Sequence, residues 1–296
     1  MAEVTLYHYP LSYNSQIVRL VLSEMKIDWE GHMVDIGPAH QNYAPWYMKL
    51  NEHGFVPILK DGGEVVSDTR LIVRHLIDKY PSGGLIPEDA EARKYVNNWV
   101  ETLLAFPERD LTHGIVSGMP GTFTRADIER RKRILRDLAA AHPDLADVYE
   151  AKRRDVLKLE ESIDDPSWVE NVSFEAERML DHLEERMAGR EWLVDSGYSL
   201  SDLAWSAFLA RLEMLHLARM WKRGTRPSVE AYYERLRARP SFRAAKVYRH
   251  NALSVTVPSL FRAFGIRITL IVILIAAIGY GIFWLLDRFI VSTGVF

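Results

Sequence analysis

Apolar and polar residues alternate over 4–9, "VTLYHY", which predicts a strand, and the spacing lengthens to a helical period over 15–25, "SQIVRLVLSEM". A second strand is predicted over 29–36 and a short helix over 43–50. Two more strands, in "VPILK" from Val56 and "EVVS" from Glu64, flank the turn signal Asp61-Gly62-Gly63, and "DTRLIVRHLIDKY" closes the segment as a helix. This order describes a mixed four-stranded α/β sheet with helices packed on it, over residues 1–80. "PSGGLIPED" is a linker by composition, and beyond it strand signals almost vanish, so 87–250 reads as an all-α domain. Leu183, Met187, Leu203, Phe208, Leu212 and Leu215 mark its apolar faces, and Ser199 with Asp202 forms a capping pattern. The charge-dense stretch 124–165 has sparse apolar positions and is expected to form long exposed helices, broken near His142-Pro143.

The far end of the chain follows a different pattern. Residues 268–286, "ITLIVILIAAIGYGIFWLL", are uncharged and apolar; as a helix they would span roughly 28 Å, against a hydrocarbon core of about 30 Å. A transmembrane helix is expected there. The preceding 251–267 is a basic juxtamembrane segment, continuing a run without acids that contains Arg235, Arg237, Arg239, Arg243, Lys246, Arg249, Arg262 and Arg267. A bilayer with an anionic lipid surface is therefore an expected partner. The expected placement is a C-terminal anchor with the large domain cytosolic, in a bacterial inner membrane or the mitochondrial outer membrane. Ala277 and Gly281 form a small-x-x-x-small pair that leaves a homodimer open.

Composition narrows the chemistry. The 296 residues are 48% hydrophobic, enough for a substantial core, and the formal charge of -3 gives no global reason to expect nucleic acid. No groove-reading motif or aromatic platform accompanies the basic run, so no nucleic-acid partner is expected. The chain has no cysteine, which removes disulfides, thiolate metal sites and cysteine nucleophiles together. His8, His32, His53, His75 and His113 lack metal-ligand spacing, so no metal site is expected. "MAEVTLYHYP" lacks signal-peptide features, and the first strand is expected to form in the compartment of synthesis.

Four features coincide: the turn holding Ser12, Asn14 and Ser15, the Val56-Pro57 bond leading into a strand, Asp68-Thr69 opening a helix, and the capped helix at Ser199. Together they resemble the glutathione transferases. "LYHYPLSYNSQIVRLVLSE", "PWYMKLNEHGFVPIL", "LTHGIV", "HPDLADVYEAKRR" and "RPSVEAYYERL", with the C-terminal apolar run, resemble the ganglioside-induced differentiation-associated protein family, the tail-anchored relatives of those enzymes. The N-terminal domain is also similar to bacterial glutathione-dependent dehalogenases and aryl-ether-cleaving enzymes. The resemblance implies a thioredoxin-like N-terminal domain with Pro57 cis, an all-α glutathione transferase C-terminal domain, and glutathione as co-substrate.

Glutathione would supply the thiol that the chain lacks. Its pKa lies near 8.5, and lowering it by about two units needs about 2.7 kcal/mol of preference for the thiolate. A hydrogen bond to a charged group contributes about 1.5 to 3 kcal/mol and a helix N-terminus about 0.3 to 1. The resemblance places Ser12 at the activating serine of serine-type transferases and Asn14 where reductive dehalogenases carry their reactive cysteine. Asn14 or Ser15 as a plain helix cap is the competing reading of that pair. Asp68 and Thr69 match the pair holding the γ-glutamyl end, Val56 before Pro57 would offer its backbone to the cysteinyl part, and His40 or Gln41 would take the glycine carboxylate. A small apolar electrophile is expected between the domains, near Phe106, His113 and Trp205. The alternative function is a non-catalytic glutathione- or metabolite-sensing, membrane-organising module of the same fold.

Overall fold

The computed structural model describes residues 3–81, 83–118 and 122–247, together with 258–263, 265, 266, 271 and 274. The N-terminal domain runs β1 (Val4–His8), α1 (Tyr13–Glu24), β2 (Trp29–Met33), α2 (Pro45–Met48), β3 (Ile58–Asp61), β4 (Glu64–Ser67) and α3 (Thr69–Lys79). Its four strands lie in the order β2-β1-β3-β4, with β1 parallel to β2 and β3 antiparallel to both neighbours. The period-two pattern divides the sheet: Val4, Leu6 and Leu59 pack against Ile17, Val21, Ile72 and Leu76 of α1 and α3. Ile58, one residue out of phase, joins Tyr9, Val34, Tyr47 and Val56 in a separate cluster. The β3–β4 turn uses Gly62 and Gly63 at φ 57° and 95°, the left-handed region open to glycine. The Val56-Pro57 bond is cis.

β2 stops at Met33, short of the expected 36, because its partner β1 ends at the paired His8. The chain then turns: the Gly37 N–H donates to Asp35 Oδ1 at 2.9 Å, and the Asp35 N–H to Gln41 Oε1 at 3.0 Å.

Eight helices follow among the described residues: α4 (Ala90–Ala105), α5 (Glu108–Gly118), α6 (Thr122–Ala141), α7 (Ala146–Ile163), α8 (Pro166–Met187), α9 (Leu200–Met214), α10 (Pro227–Ala238) and α11 (Pro240–Ala244). α9 is central, with every residue from Leu200 to Leu212 buried. It opens on the Ser199–Asp202 capping box, and Asp202 also accepts from the Leu193 N–H at 3.1 Å and the Tyr232 hydroxyl at 2.7 Å.

The charged stretch does not stand free in solvent as expected. A turn at Pro143–Leu145 separates α6 from α7, and their few apolar residues, Ile128, Leu135, Leu145, Tyr149 and Val156, close over Tyr43 and Met48 in a second small core. The Tyr149 hydroxyl donates to the Tyr43 carbonyl at 3.0 Å. Sparse apolar positions suffice because they share one face of a helical pair that lies on the N-terminal domain.

The C-terminal expectation needs correction. Among the described residues no helix is long and apolar enough to cross a membrane. The span expected over 268–286 lies outside the described residues, Ile271 and Leu274 apart; the described residues form the α/β domain and the helical domain. Part of the basic run also has duties inside the fold. Arg239 grips Glu24 of α1 in a two-pronged pair at 2.8 and 2.9 Å, and Arg235 donates to the carbonyls of Arg190 and Glu191.

Candidate functional site

The register Tyr7–Ile58–Ser67 across β1, β3 and β4 brings three segments to one end of the sheet. These are the β1–α1 turn, the Val56-Pro57 entry to β3, and Asp68-Thr69 at the head of α3. In the first, Ser12 is extended (φ -71°, ψ 125°) and its Oγ accepts from the Ser15 N–H at 3.2 Å. Ser12 is thus the N-cap, and α1 begins at Tyr13 rather than at residue 15. Ser15 is buried and its Oγ takes the Tyr9 N–H at 3.4 Å, while Asn14 is exposed in the first turn. Neither caps the helix. Capping uses the oxygen of Ser12 as an acceptor, and among the described residues its O–H has no acceptor of its own.

The turn is held from beneath. Arg19 and Gln16 donate to the Pro10 carbonyl at 3.0 and 3.1 Å, and Arg211 of α9 donates to the Leu11 carbonyl at 2.7 Å. Arg211 also faces Glu108 of α5 at 2.6 Å, with both side chains almost buried. A helix N-terminus and buried guanidinium groups together make this a favourable place for an anion.

A cavity of about 460 Å³ opens between this turn and α5, α6, α7 and α9. Ser12, Asn14, Val56 and His113 all line it. Val56 is buried, and among the described residues neither its N–H nor its C=O has a hydrogen-bond partner, which leaves an open backbone edge in the wall. Burial, with Arg131 and Arg109 close by, pushes the His113 imidazole down to about 3, so it is neutral at physiological pH. A larger groove of about 820 Å³ between α4 and α8 contains none of the expected site residues.

The other expected residues fall elsewhere. Asp68 caps α3 from φ 82°, its Oδ1 accepting from the Arg70 and Leu71 N–H groups at 2.9 and 3.3 Å; Thr69 beside it is buried. Both stand at the same sheet end as Val56 but outside the cavity lining. His40 turns from the cavity to Asp127 of α6 at 3.1 Å, and Gln41 is engaged by the Asp35 N–H, so both tie the loop rather than face a ligand. Phe106 packs edge-on against Phe208, and Trp205 is fully buried against Trp99 and Phe208; neither reaches the cavity. Among the described residues no group of acids and histidines is clustered as a metal site would be.

The sequence reading missed Tyr43, Arg109, Arg131, Lys152 and Arg211 in the cavity wall. For Lys152 a signal existed: Tyr149, Lys152, Val156 and Leu159 follow the spacing of one helix face, and all are buried. A lysine in an otherwise apolar stripe marks a place where burial is imposed for another reason.

Family models fit both halves of the chain: the glutathione S-transferase N-terminal domain matches residues 6–84 and the C-terminal domain residues 157–240. Tetrachloro-p-hydroquinone reductive dehalogenase of Sphingobium chlorophenolicum is 33% identical over 250 residues, covering 83% of this chain and 97% of that protein. The chain belongs to the glutathione S-transferase family. Within it, ganglioside-induced differentiation-associated protein 1-like 1 of Homo sapiens is 27% identical over 288 residues, covering 88% of this chain and 78% of that protein, in accord with the resemblance seen in the sequence. A beta-etherase from Sphingobium sp. strain SYK-6 superimposes with a TM-score of 0.65 at 22% identity, over 82% of this chain and 98% of its own. The theta class glutathione S-transferase from Xanthomonas axonopodis pv. citri, solved with glutathione bound, gives 0.58 at 22% identity, over 83% and 97%. At those identities the two structures speak for the glutathione S-transferase fold alone.

Proposed function

We propose that this glutathione S-transferase binds glutathione across the sheet end, ionises its thiol at Ser12, and directs the thiolate at an aromatic electrophile in the cavity. The observation that carries the reading is the Ser12 hydroxyl. Its oxygen is fixed by the helix it caps, its proton is free to donate, and it lines the same cavity as the unpaired Val56 backbone. An extended tripeptide adds to such an edge as a strand would, which aims its central cysteinyl side chain at the head of α1. Asp68 suits the ammonium of the γ-glutamyl end, and the Thr69 N–H at the head of α3 suits its carboxylate.

The thiolate attacks a ring carbon bearing a leaving group; the carbon–sulfur bond forms, and the leaving group departs with its bonding electrons. The thiol proton passes to solvent, and nothing is oxidised or reduced. Reductive dehalogenation through an enzyme disulfide is not part of the proposal, because the chain has no cysteine and Asn14 cannot form a mixed disulfide. The sequence led to an apolar electrophile. The cavity wall combines Tyr9, Tyr13, Tyr43 and Phe55 with charged groups, which favours an aromatic one.

The test uses the full chain with glutathione and 1-chloro-2,4-dinitrobenzene. Binding at millimolar glutathione and steady conjugation are expected, with binding weakened at least tenfold in Asp68→Ala and the rate reduced in Ser12→Ala. Binding without conjugation would favour the non-catalytic sensing module, and no binding would end the transferase reading.

A further inference from the structure

Four cations enter the cavity wall, and three have an acid close by. Arg211 faces Glu108 at 2.6 Å, Arg131 faces Asp127 at 2.7 Å, and Arg109 lies 3.4 Å from Asp110. Lys152 is the exception. It is 5% exposed, its Nζ donates to the His53 carbonyl at 2.5 Å, and it lies 3.5 Å from the centre of the Phe55 ring. Among the described residues no carboxylate comes within 4.0 Å of that nitrogen. A buried ammonium answered only by a carbonyl and a ring face lacks the charge partner that burial normally requires.

The groups facing it come from every side. Asp155, one turn along α7, favours the ammonium from beyond pairing distance; Arg109 of α5 and Arg131 of α6 oppose it, and His113 of α5 is neutral. Burial outweighs the rest and brings Lys152 down to about 7. The site therefore holds a cation half-formed at neutral pH, above an aromatic face, in the cavity where the electrophile would react.

We propose, building on the transferase reading above, that the second substrate is an aromatic acid whose anionic oxygen is bound by Lys152 while its ring lies against Phe55 and Tyr43. The anion supplies the missing partner, and the aromatic wall supplies the stacking surface. A carboxylate and an acidic phenol share this chemistry.

The experiment compares 4-chloro-3-nitrobenzoate with its neutral amide, 4-chloro-3-nitrobenzamide, as partners for glutathione in the full chain. Both lose chloride from the same ring position, so the ratio of their kcat/KM values cancels thiol activation and isolates recognition of the charge. In the wild type the acid-to-amide ratio is expected to be highest near pH 6 and to fall about tenfold per pH unit above about 7, as Lys152 loses its proton. In Lys152→Met the ratio falls at least tenfold at pH 6.5 and loses its pH dependence; in Lys152→Arg, which stays charged, it remains high and flat to pH 9. A lysine serving only to brace the His53 loop would change both substrates together and leave the ratio flat with pH. A wild-type ratio at pH 6.5 that Lys152→Met leaves unchanged overturns the proposal. Turnover of the amide keeps the two readings separate: if the amide is conjugated and the ratio is the same in Lys152→Met, only the acid proposal fails, whereas if neither substrate reacts the transferase reading fails and takes it along. Benzoate and 2,4-dinitrophenolate as inhibitors of amide turnover at pH 6.5 tell the two anions apart; inhibition by neither also overturns the proposal.

Discussion

Ser12→Ala removes two functions that can be read separately. The capping oxygen, 3.2 Å from the Ser15 N–H, is lost from the start of α1, which costs about 1 kcal/mol of folding stability. The hydroxyl proton, free in the structure, is lost from the thiolate; a donor to a charged group contributes about 1.5 to 3 kcal/mol, or about one to two units in the thiol pKa. Bound glutathione can be titrated through the ultraviolet absorbance of its thiolate, with urea unfolding of the same samples as the stability readout. The thiol pKa is expected to rise by about one to two units in Ser12→Ala, and the conjugation rate below that pKa to drop about tenfold to a hundredfold. Ser12→Thr retains both the oxygen and the proton and should restore most of each effect. If Ser12→Ala binds glutathione and its thiol titrates as in the wild type, the assignment of Ser12 is wrong, whatever happens to stability.

Arg211→Leu leaves Glu108 almost buried without its ion partner and frees the Leu11 carbonyl; a loss of about 3 kcal/mol in urea unfolding is expected, and a loss under 1 would mean that the pair is dispensable. Gly114→Ala drives a methyl carbon into Val169 Cγ2 where α5 crosses α8; it should destabilise by about 1 to 3 kcal/mol, with Val169→Ala recovering most of that if the crossing is the cause. Burial pushes the Glu24 carboxyl up, but the Arg239 and Ser241 hydrogen bonds outweigh it and hold the group below its ordinary 4.5. A depressed carboxyl contributes stability that is present above 4.5 and lost as pH falls through the folded value. The gap in urea midpoint between wild type and Glu24→Gln should therefore be constant from pH 8 to about 5.5 and narrow below about 4.5; a gap unchanged at pH 3.5 would contradict this.

The α/β half was largely legible because its signals are local. Alternation marked the strands and Asp61-Gly62-Gly63 marked the hairpin, whose turn fixes the Ile58–Ser67 pairing, whereas the Tyr7–Ile58 pairing joins strands far apart in the chain and no local signal gives it. Helix starts were less so: Ser12, Asn14 and Ser15 are all good caps, and only the extended backbone at Ser12 decides among them. Pocket residues on α9 could not be chosen from the sequence. Every residue from Leu200 to Leu212 is buried, so no polar face reveals which side meets the cavity; Trp205 turns to the core and Arg211 to the turn. Arg131 was hidden for the opposite reason. It lies in a charged stretch that looks like solvated helix until α6 and α7 fold back onto Tyr43 and Met48.

The central claim concerns where the glutathione sulfur sits. A crystal structure of the full chain soaked with glutathione tests it most directly. The sulfur is predicted within about 3.5 Å of Ser12 Oγ, hydrogen-bonding distance for a thiolate. The cysteinyl backbone should pair with Val56 and the γ-glutamyl end rest at Asp68 and Thr69. Glutathione bound with its sulfur away from the head of α1, or a cavity left empty at saturating glutathione, would contradict the account.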